Sequence, residues 1–332
     1  MSAPPITVIG AGSWGTALAI QFARAGRPTI LWGRAEDEPE RLARERCNTR
    51  YLPGADFPDA LSIEADLARA VDASLDLLLV VPSSALRSVL QQLKPLLKPG
   101  ARIAWATKGF ELSTGKLPHQ VATEVLGGDI PLAVLSGPTF ASEVGKGLPT
   151  AIACASPDPD FALELAQSIS TPHLRAYTQS DIIGVEVGGA VKNVIAIAAG
   201  AADGMGFGAN ARVFLITRGL AEMVRLGLAL GAQRDTFMGL TGLGDLVLTC
   251  TDDQSRNRRF GKAVASGRKV EEAIRDIGQV VEGYHAARAV RQVATRLEVD
   301  MPICEQVYRV TYEGLDIAEV VDILMSRAVS AE

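Results

Sequence analysis

The chain has 332 residues, 48% hydrophobic and 21% charged, with no proline-rich, serine-rich or single-charge tract. That balance excludes a disordered or fibrous protein, and the length leads us to expect two packed cores. Its 33 lysines and arginines against 38 aspartates and glutamates give a net charge of −5, so the chain lacks the electrostatic footprint of a nucleic-acid or anionic-membrane binder.

Four scattered cysteines, Cys47, Cys154, Cys250 and Cys304, form no CxxC pair and no metal-ligand spacing with the three histidines. Neither a disulfide nor a metal site is expected. The N-terminus runs from Ser2-Ala3-Pro4-Pro5 straight into an apolar strand, with no cationic signal-peptide region. A cytoplasmic protein is the expectation.

In chain order, the first half alternates strand-like and helix-like segments: a strand at Ile6 to Ile9, a helix from Ser13 to about Ala25, and strands at Thr29 to Trp32 and Leu75 to Val81. A helical pattern follows at Ser84 to Leu97. Next come strands at Arg102 to Thr107, Leu132 to Leu135 and Ala151 to Ala155, a helix near Phe161 to Ser170, and a last strand near Leu174 to Tyr177. The alternation predicts right-handed crossovers and a doubly wound parallel sheet whose strands are short, apolar and buried on both faces.

After Asp181 the period becomes helical. Apolar stretches at Val187 to Ala202, Val213 to Leu230, Val270 to Ile277 and Ala286 to Leu297 predict an all-α second half. The expected domains are 1–180 and 181–332, tightly packed, with a ligand site between them. The Val187 to Ala202 stretch, about 16 residues long and interrupted by Lys192, is too short to span a bilayer and reads as a buried helix.

Gly10-Ala11-Gly12-Ser13-Trp14-Gly15 is a GxGxxG placed between a strand and a helix. In that context the glycines allow a tight turn and close backbone approach to a pyrophosphate, and the helix start supplies partial positive charge. At the end of the second strand, where NAD-specific proteins place an acid on the ribose 2′-hydroxyl, this chain has Gly33-Arg34. An arginine there can pair with a 2′-phosphate, which predicts NADP(H) over NAD(H); the nearby Glu36, Asp37 and Glu38 act against that preference.

Lys192 is the one charged residue of its helix, with Gly188 and Gly189 a turn away. Burial would lower its pKa and make it a usable acid or base, although a lysine snorkelling from a core helix fits the same pattern. Lys108 follows a strand and Gly137-Pro138-Thr139-Phe140-Ala141 follows another, both at the sheet edge where α/β proteins bind ligands. Either could also be a plain loop.

Ser255-Arg256-Asn257 reads as an N-cap and first helical turn, where backbone N–H groups and a guanidinium together make an anion site. An exposed basic helix start is the alternative. None of His119, His173 and His285 falls in a motif, so a lysine must move the proton if the chain is a dehydrogenase.

These motifs meet a family. VIGAGSWGTALA, WATKGF, LSGPTFASEV, GAVKNVIAIAAG, GLTGLGDLVLTC, SRNRRFG and VVEG, in that order over essentially the whole chain, closely resemble bacterial NAD(P)-dependent sn-glycerol-3-phosphate dehydrogenases. The resemblance implies a Rossmann domain with a helical C-terminal domain, usually dimeric. It further implies reduction of dihydroxyacetone phosphate to sn-glycerol 3-phosphate with NAD(P)H, supplying phospholipid synthesis.

By position, Lys192 resembles the family's general acid/base, assisted by Lys108 and Asp245. Lys108, Gly137, Thr139, Lys192, Asp245, Ser255, Arg256 and Asn257 resemble its substrate-binding residues. Gly10, Gly12, Ser13, Trp14, Gly15, Arg34, Lys108, Ala141, Arg256, Val280 and Glu282 resemble its cofactor-binding residues. Two other readings compete: a 3-hydroxyacid or 2-ketoacid reductase, which would want a carboxylate site in place of Ser255 to Asn257, and a non-catalytic NADP(H) sensor, which has no need of Lys192, Lys108 and Asp245 together.

Overall fold

The computed structural model describes residues 4–326. Its backbone contacts divide into two compact units, the first ending at Lys108 and resuming over Lys116–Glu186, the second comprising Gly109–Gly115 and the chain from Val187 onward. The division falls six residues after the expected 180/181 boundary, inside a helix rather than in a linker.

The first unit is built on an eight-stranded sheet ordered Leu174–Gln179, Thr150–Ala155, Leu132–Ser136, Arg102–Trp105, Asp76–Leu79, Ile6–Ile9, Thr29–Trp32 and Leu61–Glu64. Its central strands are buried on both faces. Ile6 and Val8 enter one apolar cluster with Phe22, Leu31 and Leu135, while Ile9 enters the other with Leu77, Leu79 and Trp105. Period-two alternation therefore has nothing polar to alternate with, which is why these segments read as short apolar runs.

Two expectations fail here. The sheet is not wholly parallel, because Thr150–Ala155 pairs antiparallel with Leu132–Ser136 and the last strand follows its direction. The intervening helix, Ala141–Lys146, has six residues. At about 1.5 Å per residue it covers only about half the length of a five-residue strand, too little to carry the chain back for a parallel crossover.

The last strand is also not buried on both faces. Leu174–Gln179 lies at the sheet edge and exposes Arg175, Thr178 and much of Tyr177. At the opposite edge, Leu61–Glu64 is a strand that sequence reasoning missed; its Ser62 and Glu64 give it the half-polar character of an edge.

In the second unit the regular elements among the described residues are all helical. The principal ones are Ile182–Gly204, Ala209–Ala229, Asp245–Thr251, Arg256–Ala265, Val270–Ile277, Glu282–Arg296, Pro302–Tyr308 and Ile317–Met325. The Ile182–Gly204 helix has 23 residues, so it is long enough to cross a bilayer and the expectation from length was wrong. Its apolar window is 89% buried within the fold, and that burial identifies it as a core helix.

Candidate functional site

The strands Ile6–Ile9, Thr29–Trp32, Asp76–Leu79, Arg102–Trp105 and Leu132–Ser136 run parallel, so their carboxyl ends share one edge of the sheet. From that edge leave Gly10–Gly15, Gly33-Arg34, Lys108 and Gly137–Ala141. Strand order reverses at Ile6–Ile9, between Asp76–Leu79 and Thr29–Trp32, and this is the crevice where open α/β sheets bind nucleotides.

The glycine-rich turn is built for a ligand to approach its backbone. Gly10 has φ +121°, and a Cβ there would lie 2.4 Å from the Val80 oxygen; one at Gly15 would lie 1.9 Å from the Gly10 oxygen. Helix Ser13–Arg24 starts at Gly12 with no side-chain cap and with open space beside that residue. Uncapped N–H groups at an open helix start suit a pyrophosphate, so these residues fit a dinucleotide.

Asn48 pins the turn. Its Nδ2 donates to the Ala11 oxygen at 2.9 Å and to Thr16 Oγ1 at 2.9 Å, and Ser13 Oγ donates to the Tyr51 oxygen at 2.6 Å. Sequence reasoning missed Asn48, which lies 32 residues from Thr16. The Trp14 ring packs on the core of the first unit, with its Nε1 buried and without a hydrogen-bond partner.

Arg34 begins the short 3-10 turn Ala35–Asp37 and donates its N–H to Asp37 Oδ2 at 3.0 Å. Its guanidinium is 66% exposed and lies 3.5 Å from the same carboxylate. Of the three acids that act against an NADP(H) preference in the sequence, Asp37 is thus turned onto Arg34 itself and Glu36 approaches it at 3.9 Å.

Lys108 stands three residues beyond the strand Arg102–Trp105 and is half-buried. That strand is anchored through Trp105, whose Nε1 donates to Glu186 Oε1 at 3.0 Å; His119 meets Glu186 through its backbone N–H at 2.8 Å and Nδ1 at 2.5 Å. Burial pushes the Glu186 carboxyl up, and the hydrogen bonds and charge of His119 act in the opposite direction. In the next loop, Thr139 Oγ1 donates to the Gly137 oxygen at 3.3 Å, and Ala141 opens the helix Ala141–Lys146.

In the second unit Lys192 is 7% exposed. Its Nζ donates to Asp245 Oδ1 at 2.5 Å and to Thr249 Oγ1 at 3.1 Å. The ammonium does not snorkel to water; it is buried and paired, as a charge in low dielectric must be. Asp245 and Thr249 are four residues apart on helix Asp245–Thr251, so both face the lysine. Cys250 beside them has its thiol pushed up to about 12 by burial and is neutral.

Asn193, next to Lys192, organises a buried chain of amides. Its Oδ1 accepts from Asn257 Nδ2 at 2.8 Å, its Nδ2 donates to Glu282 Oε2 at 3.2 Å, and the Gly283 N–H donates to Asn257 Oδ1 at 2.8 Å. Ser255 caps helix Arg256–Ala265 as expected, accepting the Arg258 N–H at 3.2 Å.

With the Ser255 oxygen and the Asn257 amide so engaged, Arg256 is the partly exposed member of the trio, and it bonds Gln279 at 3.3 Å. Val280 is 49% exposed, and Glu282 opens the following helix. Asn193 and Thr249 were not singled out from the sequence; their signals were adjacency to Lys192 and four-residue spacing from Asp245.

Comparison with known proteins follows the same division. The family described as NAD-dependent glycerol-3-phosphate dehydrogenase N-terminus matches residues 5–162, and its C-terminus counterpart matches 181–322. Among curated relatives, a glycerol-3-phosphate dehydrogenase [NAD(P)+] from Tolumonas auensis is 57% identical over 314 residues, 94% of each chain. One of the same description from Serratia proteamaculans is 60% identical over 308 residues, 92% of this chain and 91% of the relative.

The crystal structure of glycerol-3-phosphate dehydrogenase from Coxiella burnetii superposes with TM-score 0.94 at 45% identity, covering 97% of this chain and 99% of that one. A ketopantoate reductase family protein from Ralstonia eutropha, at 17% identity and TM-score 0.60 over 97% of this chain and 99% of that one, shares the fold.

Proposed function

We propose that this chain, which belongs to the NAD-dependent glycerol-3-phosphate dehydrogenase family, reduces dihydroxyacetone phosphate to sn-glycerol 3-phosphate reversibly, with Lys192 as general acid and base. It is an NAD(P)-dependent oxidoreductase. The observation that carries the lysine assignment is the buried Lys192 held against Asp245 and Thr249.

When bound, the reduced dinucleotide supplies the hydride that the substrate's C2 carbonyl receives. As C2 is reduced, negative charge grows on its oxygen, and Lys192 donates a proton to it; in the reverse direction the neutral lysine takes that proton back. Asp245 and Thr249 hold the lysine nitrogen in place, and Lys108 adds positive charge toward the developing oxyanion. Arg256, beside the N–H groups of its helix start, grips the phosphate, so binding energy far from C2 positions the reacting carbon. Gly137 and Thr139 offer further polar contacts to the substrate.

The glycine-rich turn, Ser13, Trp14, Ala141, Val280 and Glu282 hold the dinucleotide in this reading, and Arg34 favours its 2′-phosphate. In the cell the product supplies glycerophospholipid synthesis, and the enzyme is a cytoplasmic homodimer; these last points rest on the family resemblance.

Arg34→Asp tests the cofactor preference. It should raise the KM for NADPH by about 10-fold or more, the size expected for a charge-assisted hydrogen bond turned into a repulsion, and change the KM for NADH by less than about twofold. Equal losses with both cofactors would remove Arg34 from the 2′-phosphate.

A further inference from the structure

Asp245 meets Lys192 because of where the segment before it sits. Leu240–Gly244 forms a single π-helical turn that leads directly into helix Asp245–Thr251. Turns of this kind recur at functional sites.

The turn is held from two sides by backbone contacts that only glycine permits. On one side, a Cβ on Gly188, one turn before Lys192 in the same helix, would lie 2.3 Å from the Thr241 carbonyl oxygen and 3.1 Å from its carbon. On the other, a Cβ on Gly242 would lie 2.1 Å from the Phe237 oxygen and 2.4 Å from its Cα. Neither neighbour is a flexible side-chain end that could step aside. Helix Ile182–Gly204 thus carries both Lys192 and the seat on which the Asp245 segment rests.

We propose that Gly188 is a positioning residue for the reaction, with Gly242 as its counterpart: by admitting the Thr241 backbone against the lysine helix, it fixes Asp245 at Lys192. This inference rests on reading Lys192 as the acid. The helix would form as well or better with alanine at 188, so the glycine is explained by this contact and not by local propensity. Thr241 is buried with its hydroxyl unpartnered, which is consistent with the backbone of this residue, not its side chain, making the contact that matters.

The test is steady-state kinetics of Gly188→Ala across pH. Displacing the turn should lower kcat by about 10- to 100-fold, the cost of a misplacement near 1 Å, with the KM for NADPH within about twofold of wild type. Reduction needs the ammonium form, so the alkaline limb of the kcat profile should move to lower pH by about one unit as Lys192 loses its carboxylate neighbour. Asp245 is the acid bonded to Lys192; Cys250 is neutral, Glu282 is bonded to Asn193, and Asp203 is paired with Arg258 at 2.6 Å.

Gly204→Ala is the comparator. On the same helix its Cβ would lie 2.6 Å from the Lys262 oxygen, so it should lower Tm while leaving kcat and the alkaline limb unchanged. Gly242→Ala displaces the same turn from its other side, against the Phe237 backbone; it should move the limb in the same direction, and it serves if Gly188→Ala does not fold. The inference is overturned if Gly188→Ala or Gly242→Ala, whichever folds, keeps the wild-type limb, or if Gly204→Ala shifts it equally. Activity surviving in Lys192→Ala would instead overturn the lysine reading beneath it.

Discussion

Replacing Lys192 with alanine should lower kcat for dihydroxyacetone phosphate reduction by about 1,000-fold, within the range expected for loss of a positioned general acid. NADPH affinity, measured by fluorescence titration, should stay within about twofold. The variant must first be shown to fold, because removing the ammonium leaves Asp245, 1% exposed, without that partner. Breaking a buried pair of this kind costs about 3–5 kcal/mol.

Lys192→Arg separates the two effects. It keeps a positive charge beside Asp245 and should regain most of the lost Tm. A guanidinium does not give up its proton at these pH values, so it should regain little of the lost kcat. Near-normal turnover in either variant would remove Lys192 from the proton transfer.

For Arg256→Ala the expected loss falls on the substrate side. A hydrogen bond to a charged partner contributes about 1.5–3 kcal/mol, so the KM for dihydroxyacetone phosphate should rise by about 10- to 100-fold. Because the phosphate is remote from C2, some of its binding energy is used in the transition state, and kcat should fall as well, by a smaller factor. Arg256 is partly exposed and, unlike the buried Asn257, takes no part in the amide chain with Asn193; its bond to Gln279 is long at 3.3 Å. The substitution should therefore change Tm little. A KM equal to wild type would place the phosphate elsewhere.

How much of this was legible in the sequence depends on how local the cause is. Ile6–Ile9 and Thr29–Trp32 were read to the residue because prolines and glycines bracket apolar runs there. The Ser255 cap was legible for the same reason: a hydroxyl just before a helix start has a local job.

The reversal of Thr150–Ala155 was not legible, since it follows from the shortness of a helix that sequence reasoning did not place. The Leu61–Glu64 strand escaped because an edge position gives four residues no distinctive period. The transmembrane argument failed in its premise: the apolar stretch begins five residues earlier than its most hydrophobic part, and burial, not length, separates it from a membrane span.

The site divides in the same way. Gly10–Gly15 declares itself through spacing, whereas Lys192 and Asp245 are 53 positions apart and Asn193 and Asn257 are 64 apart. No periodicity joins such pairs; only the fold or a family resemblance can. The sequence places Gly188 and Gly189 a turn from the lysine, and the structure shows what lies against Gly188, the backbone of Thr241.

The central claim is that this protein moves a hydride to a phosphorylated three-carbon ketone. Its most direct test follows NADPH absorbance with the purified wild-type chain, offering dihydroxyacetone phosphate, dihydroxyacetone and a small 2-oxo acid in parallel. The account predicts rapid oxidation with dihydroxyacetone phosphate alone, and yielding sn-glycerol 3-phosphate. Comparable rates with the unphosphorylated ketone or the 2-oxo acid, or no oxidation by protein that binds NADPH, would contradict it.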